Sequence, residues 1–257
     1  IGESRIIIME TEKKIQEGNQ IVTGSSWMTL GSLVSRILGA VYIIPWMIWM
    51  GNQAEADAAH ALYQMGYVPY TFFLSFATAG VPSAISKQIS HFNAIQEYEI
   101  SKKIYRQGLV LMSLTGIVSA LLLFFFAPMI AESSPAASQE SAILVMRSLV
   151  PALLIIPVQS VTRGLFQGHN RMREPAISQI IEQLLRVIFI LGSAYIVRQV
   201  LAGKVVTAVA YSTFAAFVGA VFSMVYLTFR LKQLPTALNR EIEESRNEIY
   251  ISTPNLL

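Results

Sequence analysis

The sequence predicts an all-α integral membrane protein, a bundle of six transmembrane helices. Three observations carry this. Of 257 residues, 53% are hydrophobic and only 14% charged, whereas soluble domains are about a quarter charged. Mean hydropathy is +0.51. Six apolar runs each reach the length of about 20 residues that a helix needs to cross about 30 Å of hydrocarbon. The links between them alternate between basic and free of Lys and Arg, which is how orientation is written into multi-pass proteins.

The expected runs are, in order, Ile21–Met50, Leu62–Ile85, Leu109–Ile130, Ala142–Val161, Ala176–Val197 and Val205–Phe229. Helix is the structure that satisfies backbone groups within one segment in lipid, and no dyad alternation suggests a barrel. Residues 1–20 then form an N-terminal segment, 21–230 the bundle, and 231–257 an amphipathic linker. Trp27, Trp46 and Trp49 stand near the two ends of the first run, as interfacial anchors do. Prolines 45, 69, 82, 151 and 157 fall inside runs, where each removes a helix hydrogen bond. Gly80 and Pro82 together mark the most pliable point and are expected to form a hinge.

Basic residues fix the orientation. Arg5, Lys13 and Lys14 precede the first run; Lys87, Lys102, Lys103 and Arg106 follow the second. Arg163, Arg171 and Arg173 follow the fourth, and Arg230, Lys232, Arg240 and Arg246 follow the sixth. The opposite loops, Gly51–Ala59 and Ala131–Ser141, contain neither Lys nor Arg. Only Arg198 and Lys204 break the pattern. Both termini are therefore expected in the cytoplasm. Over Asn239–Tyr250 the charge density rises, with Ile242 and Ile249 a heptad apart, which reads as a helix on the membrane surface. Thr253 before Pro254 reads as the N-cap and first residue of a further helix, which implies that the natural protein continues.

Several chemistries are excluded. With no cysteine, there are no disulfides, thiol nucleophiles or cysteine metal sites. No P-loop is present. His60, His91 and His169 are far apart and belong to no zinc signature. No catalytic group, metal site or cofactor is expected, and no nucleic-acid partner, because the cations sit in topology-setting links. The net charge is only +3.

The informative residues are charges inside the runs. Arg36 lies well within the first, where an arginine costs at least about 2.5–3.5 kcal/mol and needs a partner or a wet cavity. Two readings stand: a cation lining a cavity for an anionic substrate, or a structural arginine paired with a neighbouring helix. Gly31, Ser35 and Gly39 form a small-residue stripe beside it that permits close helix packing. Glu182 and Arg186, four apart, are ordered for an intrahelical ion pair. They serve structure or line the same cavity as substrate-binding groups. Arg147 is read as snorkelling to the interface.

The segment Gly31-Ser32-Leu33-Val34-Ser35-Arg36-Ile37-Leu38-Gly39 resembles the opening motif of the multidrug/oligosaccharidyl-lipid/polysaccharide (MOP) exporter superfamily. Within it the match is to the MurJ-like and stage V sporulation protein B-like polysaccharide biosynthesis branch. Thr78-Ala79-Gly80-Val81-Pro82-Ser83-Ala84-Ile85-Ser86-Lys87 is similar to that branch's second-helix motif. Pro157, Arg163 through Gly168 and Pro175 look like its fourth-to-fifth helix connection. The resemblance runs from about Gly24 to Leu257. It implies one lobe of a two-lobe MOP-type transporter of the bacterial cell membrane, with the C-terminal lobe of the same protein as its partner. The implied activity is flipping a lipid-linked oligosaccharide, lipid II or a related undecaprenyl-linked glycan, with Arg36 holding the pyrophosphate. Gram-negative MurJ proteins carry further arginines where this chain has Tyr42 and Phe73-Leu74. The alternatives are a multidrug exporter of cations from the same superfamily and a non-transporting fragment.

The orientation generates a direct test on a background without native cysteine. Cysteines placed at Asn52 and Ser138 should react with impermeant thiol reagents added outside intact cells, and one at Asn170 should be protected. Reversed labelling would overturn the topology.

Overall fold

The computed structural model describes the backbone of residues 2–95, 97–132 and 138–252, and the side chains of 22–95, 97–132 and 138–235. Six segments are long and apolar enough to span a membrane: Val22–Met50, Gln53–Ala94, Tyr98–Glu132, Gln139–Gly168, Arg173–Val200 and Val205–Pro235. Their elements are α1 (Gly2–Val41), α2 (Ile43–Met50), α3 (Gln53–Thr78), α4 (Val81–Ala94), α5 (Tyr98–Glu132), α6 (Gln139–Gly168), α7 (Arg173–Tyr195), a π-helical turn (Ile196–Val200) and α8 (Val205–Ser252). Among the described residues there is no strand. The six-helix expectation therefore holds, with most helices running past the predicted apolar core.

Helix α6 is the central post and packs against α3, α4, α5 and α8. Leu149, Leu153, Val161 and Phe166 are buried along it. Lipid tails are as apolar as leucine, so no hydrophobic force draws spans together, and close backbone approach must do so. A Cβ on Gly116 would lie 2.8 Å from the Leu153 carbonyl, and one on Gly164 would lie 2.8 Å from the Pro82 carbonyl. The outer surface stays greasy: Val110, Phe125 and Val225 are exposed, as residues facing acyl chains should be.

Two spans are broken where the sequence places proline. The first breaks at Tyr42, between α1 and α2. Pro45 has no N–H for the Val41 carbonyl and crowds it. The second breaks between Thr78 and Val81, where Gly80 takes a left-handed φ of 73° and Pro82 sits in the first turn of α4. Pro69, Pro151 and Pro157 leave their helices uninterrupted.

Other expectations change. The loop expected over Gly51–Ala59 is almost all helix: the Asn52 side chain accepts from the Glu55 N–H and the Glu55 carboxylate accepts from the Asn52 N–H, a capping box that starts α3 at Gln53. Trp46 is not an interfacial anchor. It is buried at 2% exposure and its indole N–H donates to Ser212 Oγ at 2.9 Å. Trp49 does sit at a helix end, edge-on to Tyr195. Arg147 is exposed, its guanidinium 4.2 Å from the Phe124 ring centroid.

Arg198, the exception to the charge pattern, is a tie. It donates to the Met50 carbonyl at 2.9 Å and the Gly203 carbonyl at 2.8 Å, and pairs with Glu55 at 3.1 Å. Gly51, at φ 130°, leaves room for that knot, since a side chain there would strike the Glu55 carboxylate. A basic residue that satisfies loose carbonyls is held by geometry and carries no information about sidedness.

Helix α8 continues from the sixth span through Ser252, so the surface helix expected over Asn239–Tyr250 is its prolongation. Thr253 and Pro254 lie outside the described residues, as do the side chains of Arg5, Lys13, Lys14, Arg240, Ile242, Arg246 and Ile249.

The close approaches make a stability prediction. Gly164→Val should lower the melting temperature in detergent, with a loss of about 1–3 kcal/mol for overpacking against the Pro82 carbonyl. Gly192→Ala, where an added Cβ meets nothing within 4 Å, should leave it unchanged or slightly raised.

Candidate functional site

Among the other spans, α1 packs chiefly on α7. Its small-residue stripe makes the seam. A Cβ on Gly31 would lie 3.1 Å from Ala176, the Ser35 hydroxyl reaches the Gln179 carbonyl at 3.4 Å, and a Cβ on Gly39 would lie 3.2 Å from Gln183 Nε2. Helix α3 packs instead on α5, α6 and α8. Helices α1 and α3 make no substantial contact with each other, and the groove between them is floored by α7, which packs on α1, and α8, which packs on both α7 and α3. At the Gly51 end α2 closes against α3, where the hydroxyls of Tyr42 and Tyr63 stand 3.4 Å apart and Trp46 meets Tyr63 edge-on at 5.7 Å.

Arg36 is exposed and, among the described residues, makes no ion pair. It follows Ser35 by one residue and so stands about 100° around α1 from the seam with α7. Ile43 lines a small cavity with His60, Tyr63 and Gln64 of α3. Arg36 lies off the α1–α7 seam, on exposed surface of α1. The reading in which it is neutralised by a neighbouring helix is not what this lobe displays.

Glu182 and Arg186 do come together, in a network the sequence only half revealed. Arg186 Nη2 donates to Glu182 Oε1 at 3.1 Å, and Arg163 Nη2 donates to Glu182 Oε2 at 2.7 Å. Gln159 Nε2 donates to the same Oε2 at 3.1 Å and to Ser223 Oγ at 2.5 Å. Arg163 Nε donates to Ser178 Oγ at 2.8 Å, and Ser223 Oγ donates to the Ser178 carbonyl at 2.8 Å. Arg186 Nη1 donates to Tyr67 Oη at 3.3 Å. Gly219 lets α8 press on this cluster: its Cβ would lie 2.5 Å from the Glu182 carbonyl.

Arg163 therefore corrects the sequence reading. The sequence places it in the link after the fourth span, but α6 continues to Gly168 and carries Arg163 to Glu182. A charge with a partner need not end a span. Gln159, Tyr67, Ser178 and Ser223 were missed, and only an arginine in apolar surroundings could have hinted at them.

Two arginines against one glutamate leave one positive charge in excess at the floor of the groove, and the Arg186 Nε–H has no acceptor among the described residues. Arg36 adds a second cation on the flank. Beside the cluster on α3, Tyr63 stacks on Tyr67 at 5.3 Å with planes 13° apart, and Tyr67 leans on the buried Tyr70. No group of His, Asp or Glu that could hold a metal occurs among the described residues. The chemistry on offer is an excess of guanidinium charge, which suits an anion.

Residues 21–254 match the family model described as polysaccharide biosynthesis protein. The chain belongs to that family. It is 40% identical, over 215 residues, to the lipid II flippase MurJ of Bacillus subtilis, covering 81% of this chain and 39% of that protein. It is 27% identical to stage V sporulation protein B of the same organism, covering 64% of this chain and 30% of that protein. The chain thus spans well under half the length of the curated relatives it matches. Among solved structures it superposes on a MOP superfamily transporter from Pyrococcus furiosus with a TM-score of 0.61 at 18% identity, covering 79% of this chain and 44% of that one. The inward-facing form of a multidrug resistance MATE family transporter of the same superfamily gives 0.61 at 15% identity, covering 80% and 47%. At such identities these neighbours speak for the fold, a six-helix lobe of MOP type.

The ion-pair network yields a stability test. Glu182→Gln should cost about 3 kcal/mol, the lower end for breaking a buried pair because water still reaches Arg163. The double change Glu182→Gln with Arg163→Gln should cost less than the two single losses combined, a coupling that thermal unfolding of all four proteins would reveal. Additive losses would mean that the network is not energetically connected.

Proposed function

We propose that the chain is the first of two lobes of a flippase that moves an undecaprenyl-pyrophosphate-linked glycan, lipid II or a related envelope precursor, across the bacterial cytoplasmic membrane. The observation that carries this reading is the 40% identity to a lipid II flippase over 81% of the chain. The groove fits it chemically. A pyrophosphate must be held away from bulk water, and guanidinium forks donate two hydrogen bonds to phosphate oxygens without ever losing their charge. Arg36 is the first-contact cation in this scheme, with Arg186 and Glu182 as the charged floor that sets its electrostatics. The shorter coverage of the relatives supports a second lobe as the opposite wall.

Transport is by alternating access of the two lobes, with no ATP hydrolysis and no covalent step. Both termini are cytoplasmic, so the Gly51 end of the groove faces outward. Gly80 and Pro82 are the hinge of the second span, where helix continuity is already interrupted. The stripe of Gly31, Ser35 and Gly39 is the seam along which α1 bears on α7.

The multidrug-cation reading is weaker for a specific reason. Holding a cation in low dielectric calls for an available carboxylate. Glu182, deep in its span, is engaged by Arg163 and Arg186 together.

The decisive experiment is made in the full-length gene product, in cells depleted of their own lipid II flippase. Arg36→Ala should abolish rescue while membrane abundance stays near normal, and Arg36→Lys should retain part of it. Full rescue by Arg36→Ala would sink the role assigned to Arg36. Failure of the well-expressed unaltered protein to rescue would remove lipid II and leave another lipid-linked glycan to be identified by the polymer whose export it restores.

A further inference from the structure

Arg163 uses only part of its guanidinium inside the cluster. Its Nε–H donates to Ser178 Oγ at 2.8 Å, and Nη2 donates to Glu182 Oε2 at 2.7 Å and to Ser223 Oγ at 3.2 Å. Those bonds fix the plane of the group. Nη1 has no partner among the described residues, and the side chain is 22% exposed. Arg186 is engaged differently: Nη1 and Nη2 go to Tyr67 and Glu182, and its one open N–H, on Nε, is buried. Since Arg186 already neutralises Glu182, Arg163 is the surplus cation, and a surplus charge inside a span calls for an anion or water.

The open nitrogen belongs to an open stripe of α6. Ile156, Ser160, Arg163 and Gln167 recur at helical spacing and are half-buried, whereas Gln159, Thr162, Gly164 and Phe166 around them are buried. On one flank of this stripe stands α4: Cβ atoms on Gly164 and Gly168 would lie 2.8 Å from the Pro82 carbonyl and 2.9 Å from the Ser86 carbonyl. On the other stands α7, reached by Gln159 and by Arg163 itself. Helices α4 and α7 make no substantial contact with each other. The stripe therefore faces the gap between them.

Arg36 belongs to the same side of α7. At about 100° per residue, Trp27 and Arg36 fall on opposite flanks of the α1 seam centred on Ser35. Arg173 and Glu182 likewise fall on opposite flanks of the α7 seam formed by Ala176, Gln179 and Gln183. The Arg173 guanidinium lies 5.5 Å from the Trp27 ring centroid, which joins those two flanks. The flank of Arg36 is thus the flank of Glu182. Level agrees as well. Gly31, Ser35 and Gly39 meet Ala176, Gln179 and Gln183 in that order, so Arg36 is level with about Ile180. Arg163, bonded to Ser178 and Glu182, is level with the same residue.

We propose that Arg163 is a second anion-binding residue of the groove, whose Nη1 donates to one phosphoryl group of a diphosphate while Arg36 holds the other. The flippase reading, on which this rests, makes that diphosphate lipid-linked. Two guanidinium forks at one level match two phosphoryl groups. A guanidinium already clamped by its neighbours loses little freedom on binding.

The test uses the full-length gene product in detergent, titrated calorimetrically with farnesyl diphosphate and farnesyl monophosphate. The diphosphate should bind about tenfold more tightly, the difference expected for one charge-assisted hydrogen bond. Arg163→Lys keeps a charge beside Glu182 but offers no second terminal nitrogen. It should abolish that preference while the melting temperature stays near that of the unaltered protein. Arg173→Gln, which removes a cation from the opposite flank, should leave both affinities unchanged. In the unaltered protein the diphosphate should shield Arg163 and Arg36, but not Arg173, from phenylglyoxal. Equal displacement by inorganic pyrophosphate would support the diphosphate clasp with a soluble source; weaker displacement would support it with a lipid-linked one. No binding of farnesyl diphosphate, an unchanged preference in Arg163→Lys, or an Arg163 left unshielded would overturn the proposal. Failure of the flippase reading has a different signature: binding keeps its dependence on Arg163 while depleted cells are not rescued.

Discussion

Glu182 holds two arginines at once, and the lobe is arranged around that fact. A carboxylate inside a membrane bundle is tolerable only when fully engaged. Here Arg163 reaches it from α6, Arg186 from its own helix, and Gln159 adds a third donor. Ser178 and Ser223 complete the cluster and draw in α8. Three spans thus meet on polar bonds where hydrocarbon offers no hydrophobic drive. Two arginines on one carboxylate leave the cluster one positive charge in excess.

The regular packing around this cluster contrasts with the breaks elsewhere. The first span is interrupted at Tyr42, the second at Gly80, and the fifth ends in a π-helical turn from Ile196 to Val200. Each break frees backbone groups that need new partners. At the Gly51 end those partners are supplied by Arg198, which gathers the Met50 and Gly203 carbonyls. That end of the lobe is knotted, whereas α1 and α3 diverge below it.

Much of this was legible in the sequence, and the limits follow from physics. Long apolar runs announce spans because a bilayer has a fixed thickness, so all six were found. The pair Gly80 and Pro82 announced one break, because a missing N–H and a left-handed φ are local properties; Pro45 looked like Pro69, Pro151 and Pro157, which leave their helices whole. Glu182 and Arg186 were visible as neighbours on one helix. Arg163 was not, because nineteen residues separate it from Glu182 and a charge near a helix end looks like a topology signal. Trp46 misled for a similar reason: an indole beside a helix end usually marks the interface, but Ser212, far along the chain, offered it a buried acceptor. Pairings between distant segments leave no local trace, and there sequence reasoning stopped.

The pairing of Arg163 with Glu182 also bears on how the lobe is made. The two residues sit on successive spans joined by the short link from His169 to Met172. The fifth span carries Glu182 and Arg186 as a pair of its own, whereas the fourth span alone would present Arg163 to the lipid unpaired, at a cost of about 2.5–3.5 kcal/mol on insertion scales. Placed beside the fifth span in a hairpin, Arg163 gains the second oxygen of the Glu182 carboxylate as its partner. The physical cost of an unpaired Arg163 thus favours entry of the fourth and fifth spans as one unit.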